Sequence, residues 1–262
     1  MDYQYLTFCI DDGVATITLN RPEAGNTFHQ HLADELDEVS RYCLIRNDVE
    51  VVLLKANGKL FSGGGDLAYM QSSGDNIDIA IKKLADRLHS AYASFSRMSV
   101  PVVASVQGTA AGIGLSLSLL ADITIASDKA KFAAAYGGVG LSPDGGLTHI
   151  LPRVIGVKRA SYFLLTNQVI TAQQALEWGM VNEVVPPPEL DDTVNAVVET
   201  LKDKSADANA SVKSLLLHSQ QHSLEAQMHL EGIQLSRNAA SDNGQEGINA
   251  YLERRLAKFT KH

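Results

Sequence analysis

Cysteine is nearly absent: the 262 residues contain two, Cys9 and Cys43. Two thiols in a chain this long make no disulfide framework, so they read as buried thiols of a reducing compartment. Basic runs are missing as well, and the formal net charge is -8. That balance argues against nucleic acid as a partner. Any anionic ligand must then be held by local groups, since the general field is repulsive. No apolar run approaches the ~20 residues of a membrane-spanning helix. The start, Met-Asp-Tyr-Gln-Tyr, lacks the basic and apolar regions of a secretory signal. The expectation is a cytoplasmic enzyme with no membrane partner. The histidines, among them His29, His31, His89 and His149, show no metal-ligand spacing on a shared helical face, so no metal is expected. They read as surface or capping residues; His29 and His31 alternate and would not face the same way on a helix. Apolar content of 45% with 20% charged is enough for a sizeable core.

What is present is glycine, in two places where a strand should meet a helix. Residues 49–56 are β-branched and apolar and predict a buried strand. Phe-Ser-Gly-Gly-Gly-Asp-Leu follows at 61–67, with Asp66 placed to open a helix. Bare amides in such a turn can cradle a phosphate or bind a developing negative oxygen. Neither the Gly-Lys-Ser/Thr ending nor the G-x-G-x-x-G spacing of phosphate turns is found. Asp66 would also repel a phosphate dianion, which favours the oxyanion use. A flexible loop capped by Asp66 is the alternative. The second place lies after the strand predicted at 101–107. There Gly-Thr-Ala-Ala-Gly-Ile-Gly-Leu-Ser at 108–116 runs into an apolar helix predicted at 117–120. Two such turns could give two donors to one carbonyl oxygen.

The remaining pattern is mixed α and β. Strands at 5–10 and 14–19 flank Asp-Asp-Gly, a hairpin signature. Phe28, Leu32, Leu36, Val39 and Cys43 recur at helical spacing. A long helix is predicted at 77–98, with a solvated charged face carrying Lys82, Lys83, Arg87 and Arg97. Strands follow at 122–126 and 131–135, a capping box at Thr171 and Gln174, and a strand at 182–185. Three prolines at 186–188 make a stiff spacer, and everything beyond reads as helical.

With these residues in view, the sequence resembles the enoyl-CoA hydratase/isomerase (crotonase) superfamily. The matching stretches are Asn-Arg-Pro-Glu-Ala at 20–24 with Asn26, the glycine turn at 61–67, and Val-Gln-Gly-x-Ala-x-Gly-Ile-Gly at 106–114. Ala-Asp-Ile at 121–123, Gly-Leu-Ser-Pro-Asp-Gly-Gly at 140–146, Glu246-Gly247 and Tyr-Leu-Glu-Arg-Arg at 251–255 continue the match in order. The resemblance implies an α/β (α+β) fold, a spiral of ββα units over 1–199 with a C-terminal helical trimerisation region at 200–262. It implies a homotrimer or a dimer of trimers acting on an acyl-CoA thioester, with CoA part of the substrate and no cofactor. The main-chain amides of Gly65 and Ile113 would form the oxyanion hole. Ala24 would help to hold the CoA end, and Lys258 with Phe259 would contact the nucleotide. Ser62, Gly64, Asp66, Leu67, Gly112 and Tyr136 would complete the substrate site.

The glycine turns stabilise charge but move no protons. The two glutamates of the hydratase branch align with Ser116 and Tyr136, so both carboxylates are missing. Neither serine nor tyrosine is a fit acid or base near neutral pH, which argues against a conventional hydratase. Asp144 is the acid that stays in a useful place. In isomerase branches an aspartate there carries a proton between two carbons of the acyl chain. The competing reading is a helix cap before Gly-Gly-Leu-Thr. A dehalogenase branch adds a histidine and a tryptophan to this aspartate; those positions align with Ala93 and Tyr136, so that branch is set aside. The expected activity is double-bond isomerisation of an enoyl-CoA. The alternatives are a hydratase or thioester hydrolase, and a catalytically silent acyl-CoA-binding or scaffold protein.

Overall fold

The computed structural model describes residues 2–260. The chain opens with a hairpin, β1 (Leu6–Asp11) and β2 (Val14–Leu19), joined at Asp12 and Gly13. Both turn residues have positive φ, 43° and 78°, the type I′ geometry that suits twisted strands. Helix α1 (Gln30–Leu44) then buries Leu32, Leu36, Val39 and Cys43, the predicted stripe.

Three ββα passages follow. In the first, β3 (Val51–Ala56) leads to β4 (Leu60–Ser62), α2 (Leu67–Ser72) and the long α3 (Ile77–Arg97). In the second, β5 (Val102–Val106) leads to β6 (Thr109–Ala111) and α4 (Ile113–Leu120). In the third, β7 (Ile123–Ser127) leads to β8 (Lys131–Ala133), and then α5 (Leu147–Ile155) and α6 (Val157–Leu165). Strand β9 (Val169–Thr171), α7 (Ala172–Glu177) and β10 (Glu183–Val185) complete the spiral. The long strands form one sheet in the order β1-β2-β3-β5-β7-β10, parallel from β2 onward. The short strands form a second sheet in the order β4-β6-β8-β9.

Alternation along the long strands sets two cores. Val52 and Leu54 face the main core with α1 and α3. Val51, Leu53, Val103 and Ile125 face the other way, against Leu190, Val194 and Val198 of α8 (Leu190–Lys202). The division expected at 199/200 thus lies near the end of a helix that covers the sheet. Helices α9 (Ala206–His218), α10 (Leu224–Ala240) and α11 (Asp242–Leu252) follow it. Lys213 of α9 reaches back to the carbonyls of Phe95 and Val100 and to Asp122.

The second sheet was not foreseen. Strands β4, β6 and β9 have three residues each, too few to show an alternation. The apolar helix also starts at Ile113, four residues before its expected start. This sheet is what positions the site. Strands β4 and β6 run parallel with Ser62 beside Ala110, so the glycines that follow each strand emerge side by side.

Candidate active site

The first glycine turn is built on the segment just after β2. Asn26 is buried, with φ 53°; its side chain donates to the carbonyls of Asn57 and Leu60 and accepts from the Arg21 N–H. The buried Ser62 hydroxyl donates to the Asn26 carbonyl and accepts from the Gly64 N–H. Gly63 N–H donates to Gly25 O, and Asp66 N–H to Phe28 O. Asp66 accepts from the Tyr69 N–H at 3.0 Å as the cap of α2, and pairs with Arg21 at 2.6 Å. Between these fixed amides, the Gly65 N–H has no protein acceptor among the described residues. Ser62 and Asp66, expected in the substrate site, therefore stand behind the turn and hold its shape.

Burial pushes the Asp66 carboxyl up, but the Tyr69 amide and the Arg21 guanidinium outweigh it and hold it below the usual range. A depressed carboxyl gives stability that is present above its unfolded value, roughly pH 4, and lost as pH falls through its folded value. Arg21→Ala should cost about 2–4 kcal/mol, since it strands a mostly buried charge. In denaturant melts the variant should also lose less stability than wild type on acidification from pH 6 to about pH 3.

The second turn meets the first at the backbone. A Cβ on Gly64 would sit 3.0 Å from the Ala111 carbonyl oxygen, and one on Gly112 3.5 Å from the Gly64 Cα. Gly112 N–H donates to Ala133 O. The next amide, Ile113, opens α4, where a helix leaves its first N–H groups without an internal partner. The buried Tyr92 hydroxyl of α3 donates to the Ile113 carbonyl at 2.7 Å and anchors that helix end. Gly65 and Ile113 line one cavity of about 230 Å³, together with Gly64, Leu67, Gly112, Tyr136 and Asp144. Met70, Leu84, Leu88, Val139 and Leu141 supply much of its apolar wall.

Asp144 caps no helix. The cap of α5 is Gly146, which makes no side-chain bond, and the Asp144 carboxylate instead accepts from the Tyr136 hydroxyl at 2.6 Å. Burial pushes the Asp144 carboxyl above the usual carboxylate range, against the opposing pull of the Tyr136 hydroxyl. Burial and the Asp144 charge push the Tyr136 hydroxyl far upward, so it donates a hydrogen bond and does not ionise. His89 Nε2 lies 3.9 Å from Asp144 Oδ2 and accepts the Gly145 N–H at 3.2 Å. A histidine thus does stand beside this aspartate, one turn before the Ala93 position at which it was sought. Residues four apart share a helix face, so linear alignment could not tell which turn of α3 is level with Asp144. The Leu84, Leu88, Tyr92 and Phe95 stripe, all buried, was the available phase signal. His29, by contrast, is a cap: it precedes α1 and accepts the Leu32 N–H. Being outside the helix, it shares Tyr5 with His31, their rings 5.9 Å apart.

Ala24 and Lys258 are not brought to the cavity wall. Ala24 N–H donates to Arg21 O, and Lys258 N–H to Glu246, while the Phe259 ring approaches Gly247. A larger groove, about 340 Å³, runs past Arg46, Lys202 and Phe259. Neither glycine turn lines it, and neither does Asp144.

A family sequence model described as Enoyl-CoA hydratase/isomerase matches residues 9–262. A Streptococcus mutans protein named trans-2-decenoyl-[acyl-carrier-protein] isomerase is 35% identical over 99% of each chain. An Escherichia coli protein named 1,2-epoxyphenylacetyl-CoA isomerase is 31% identical over 98% of each. Among solved structures, an enoyl-CoA hydratase of Mycobacterium smegmatis superposes with a TM-score of 0.92 and 31% identity, covering 98% of this chain and 99% of that one.

Proposed function

The chain belongs to the enoyl-CoA hydratase/isomerase family, and from that premise we propose that it moves the double bond of an enoyl thioester along the acyl chain. The observation that carries this reading is the cavity's acid inventory. Asp144 is the sole carboxylate among its described lining residues, and it faces the same space as the Gly65 and Ile113 amides.

In the proposed reaction, Asp144 takes a proton from the α-carbon of a 3-enoyl thioester. The electron pair moves onto the thioester oxygen, held by the two amides, to give a dienolate. The same carboxyl returns the proton to the γ-carbon, leaving the double bond between the α- and β-carbons. The Tyr136 hydroxyl occupies Oδ1, so Oδ2 is the working oxygen. The upward displacement of the carboxyl brings it nearer the working pH, where a base is most effective.

Hydration asks for a second group to activate water. Ser116 donates to the Asp144 carbonyl, and Tyr136 is held protonated. The carrier has two readings: coenzyme A, as the family description has it, or an acyl carrier protein, as in the name of the S. mutans relative. Assembly belongs to the same proposal. Leu216, Leu224, Leu235, Leu252 and Leu256, exposed along the C-terminal helices and the segment after them, suit contacts in a homotrimer or dimer of trimers.

Incubation with a 3-enoyl-CoA, followed by ultraviolet absorbance, tests the reading. Conjugation without loss of the thioester is the expected result. Thioester loss would mean a hydrolase, and ligand-induced thermal stabilisation without turnover a binding protein; either would overturn the proposal. The kcat/KM ratio for CoA and carrier-protein thioesters of one acyl chain identifies the carrier.

A further inference from the structure

One peptide group beside the cavity is gripped at both ends. The Asp144 carbonyl accepts from the Ser116 hydroxyl at 3.0 Å, besides the local turn bond from the Leu147 N–H at 3.2 Å. The N–H of the same peptide, on Gly145, donates to His89 Nε2 at 3.2 Å. The two grips come from different helices, His89 from α3 and Ser116 from α4. Beyond them the backbone is permissive: Gly145 and Gly146 follow in succession with φ 62° and 77°. Without the two side-chain grips, only the turn bond from Leu147 would hold this peptide plane, which could then tilt and carry the Asp144 side chain with it.

We propose that Ser116 and His89 form a two-sided clamp on the Asp144–Gly145 peptide and are positioning residues for the carboxylate. The clamp fixes the backbone, and Tyr136 fixes Oδ1 at 2.6 Å. Oδ2 is then left toward the substrate; at 3.9 Å, His89 is too far to hydrogen-bond it. To accept the Gly145 N–H, the imidazole must carry its proton on Nδ1, since a doubly protonated ring has no acceptor. Ser116 is fully buried, and a Cβ on Gly145 would lie 2.9 Å from its Cβ. The position aligned with a hydratase glutamate is thus a close-packed backbone anchor. This role presupposes that Asp144 carries the proton.

The test compares His89→Ala, His89→Gln, Ser116→Ala, the His89→Ala/Ser116→Ala double variant and Asp144→Asn, using kcat, KM and melting temperature with a 3-enoyl-CoA. Loss of either grip should lower kcat about 10- to 30-fold, with KM within about twofold, as expected for a misplaced reacting group. The glutamine amide oxygen can take the place of Nε2, so His89→Gln should recover to within about threefold of wild type. The double variant should lose less than the product of the two single losses, because either break frees the same peptide. Fully multiplicative losses, a His89→Gln variant as slow as His89→Ala, or an effect confined to KM would overturn the clamp. Wild-type kcat in both single variants with an inactive Asp144→Asn would also overturn it, leaving the function intact. An active Asp144→Asn would instead sink the proposed function.

Discussion

Asp144→Asn should slow double-bond migration by about 10²–10⁴-fold, the usual worth of a positioned acid–base group, with little change in KM. The amide oxygen can still accept the Tyr136 hydroxyl, so the pocket should keep its shape. A second consequence has the opposite sign. Burial raises the Asp144 carboxyl on folding. Such a group gives stability that is fully present below its unfolded value, roughly pH 4, and lost as pH rises through its higher folded value. At pH 7 the buried charge is therefore a cost. Asparagine removes it, so the inactive variant should melt at or above the wild-type temperature at pH 7. The difference should shrink as the pH is lowered toward about 4. A melting point well below wild type at pH 7 would mean that Asp144 is a structural group.

Gly64→Ala should lower kcat by about 10²–10³-fold, the scale of losing one oxyanion donor. Gly64 has φ 99°, where a side chain is strained, and its Cβ would press on the Ala111 carbonyl at 3.0 Å. Those are the two backbones that bring the Gly65 and Ile113 amides to one cavity. The strain should also cost about 1–3 kcal/mol of stability. Gly74→Ala separates the two effects. It also has a positive φ, 53°, but no atom within 4 Å, so it should lose some stability and keep its rate. Equal kcat losses in both variants would mean that the contact between the turns is unrelated to turnover.

The hairpin, the long strands, the Asp66 cap and the Thr171–Gln174 capping box were legible because each depends on residues close together in the chain. The glycine turns were legible for the same reason. That they touch depends on β4 and β6, strands too short to leave a pattern. Ser62 illustrates what stayed hidden. The resemblance placed it in the substrate site; its hydroxyl faces inward and ties Asn26 to Gly64. His89 and Tyr92 were missed because their role depends on the rotation of α3 against α4 and on the loop before α5. Asp144 itself could be read as carrier or cap, and only the pairing with Tyr136 and the bare cap at Gly146 count against the cap.

The fate of the migrating hydrogen tests the central claim most directly. A 3-enoyl-CoA deuterated at the α-carbon, turned over once in ordinary water, should give product with deuterium at the γ-carbon, carried there by one carboxyl. Conjugated product with every label lost to the water and a rate unchanged in Asp144→Asn would contradict that transfer.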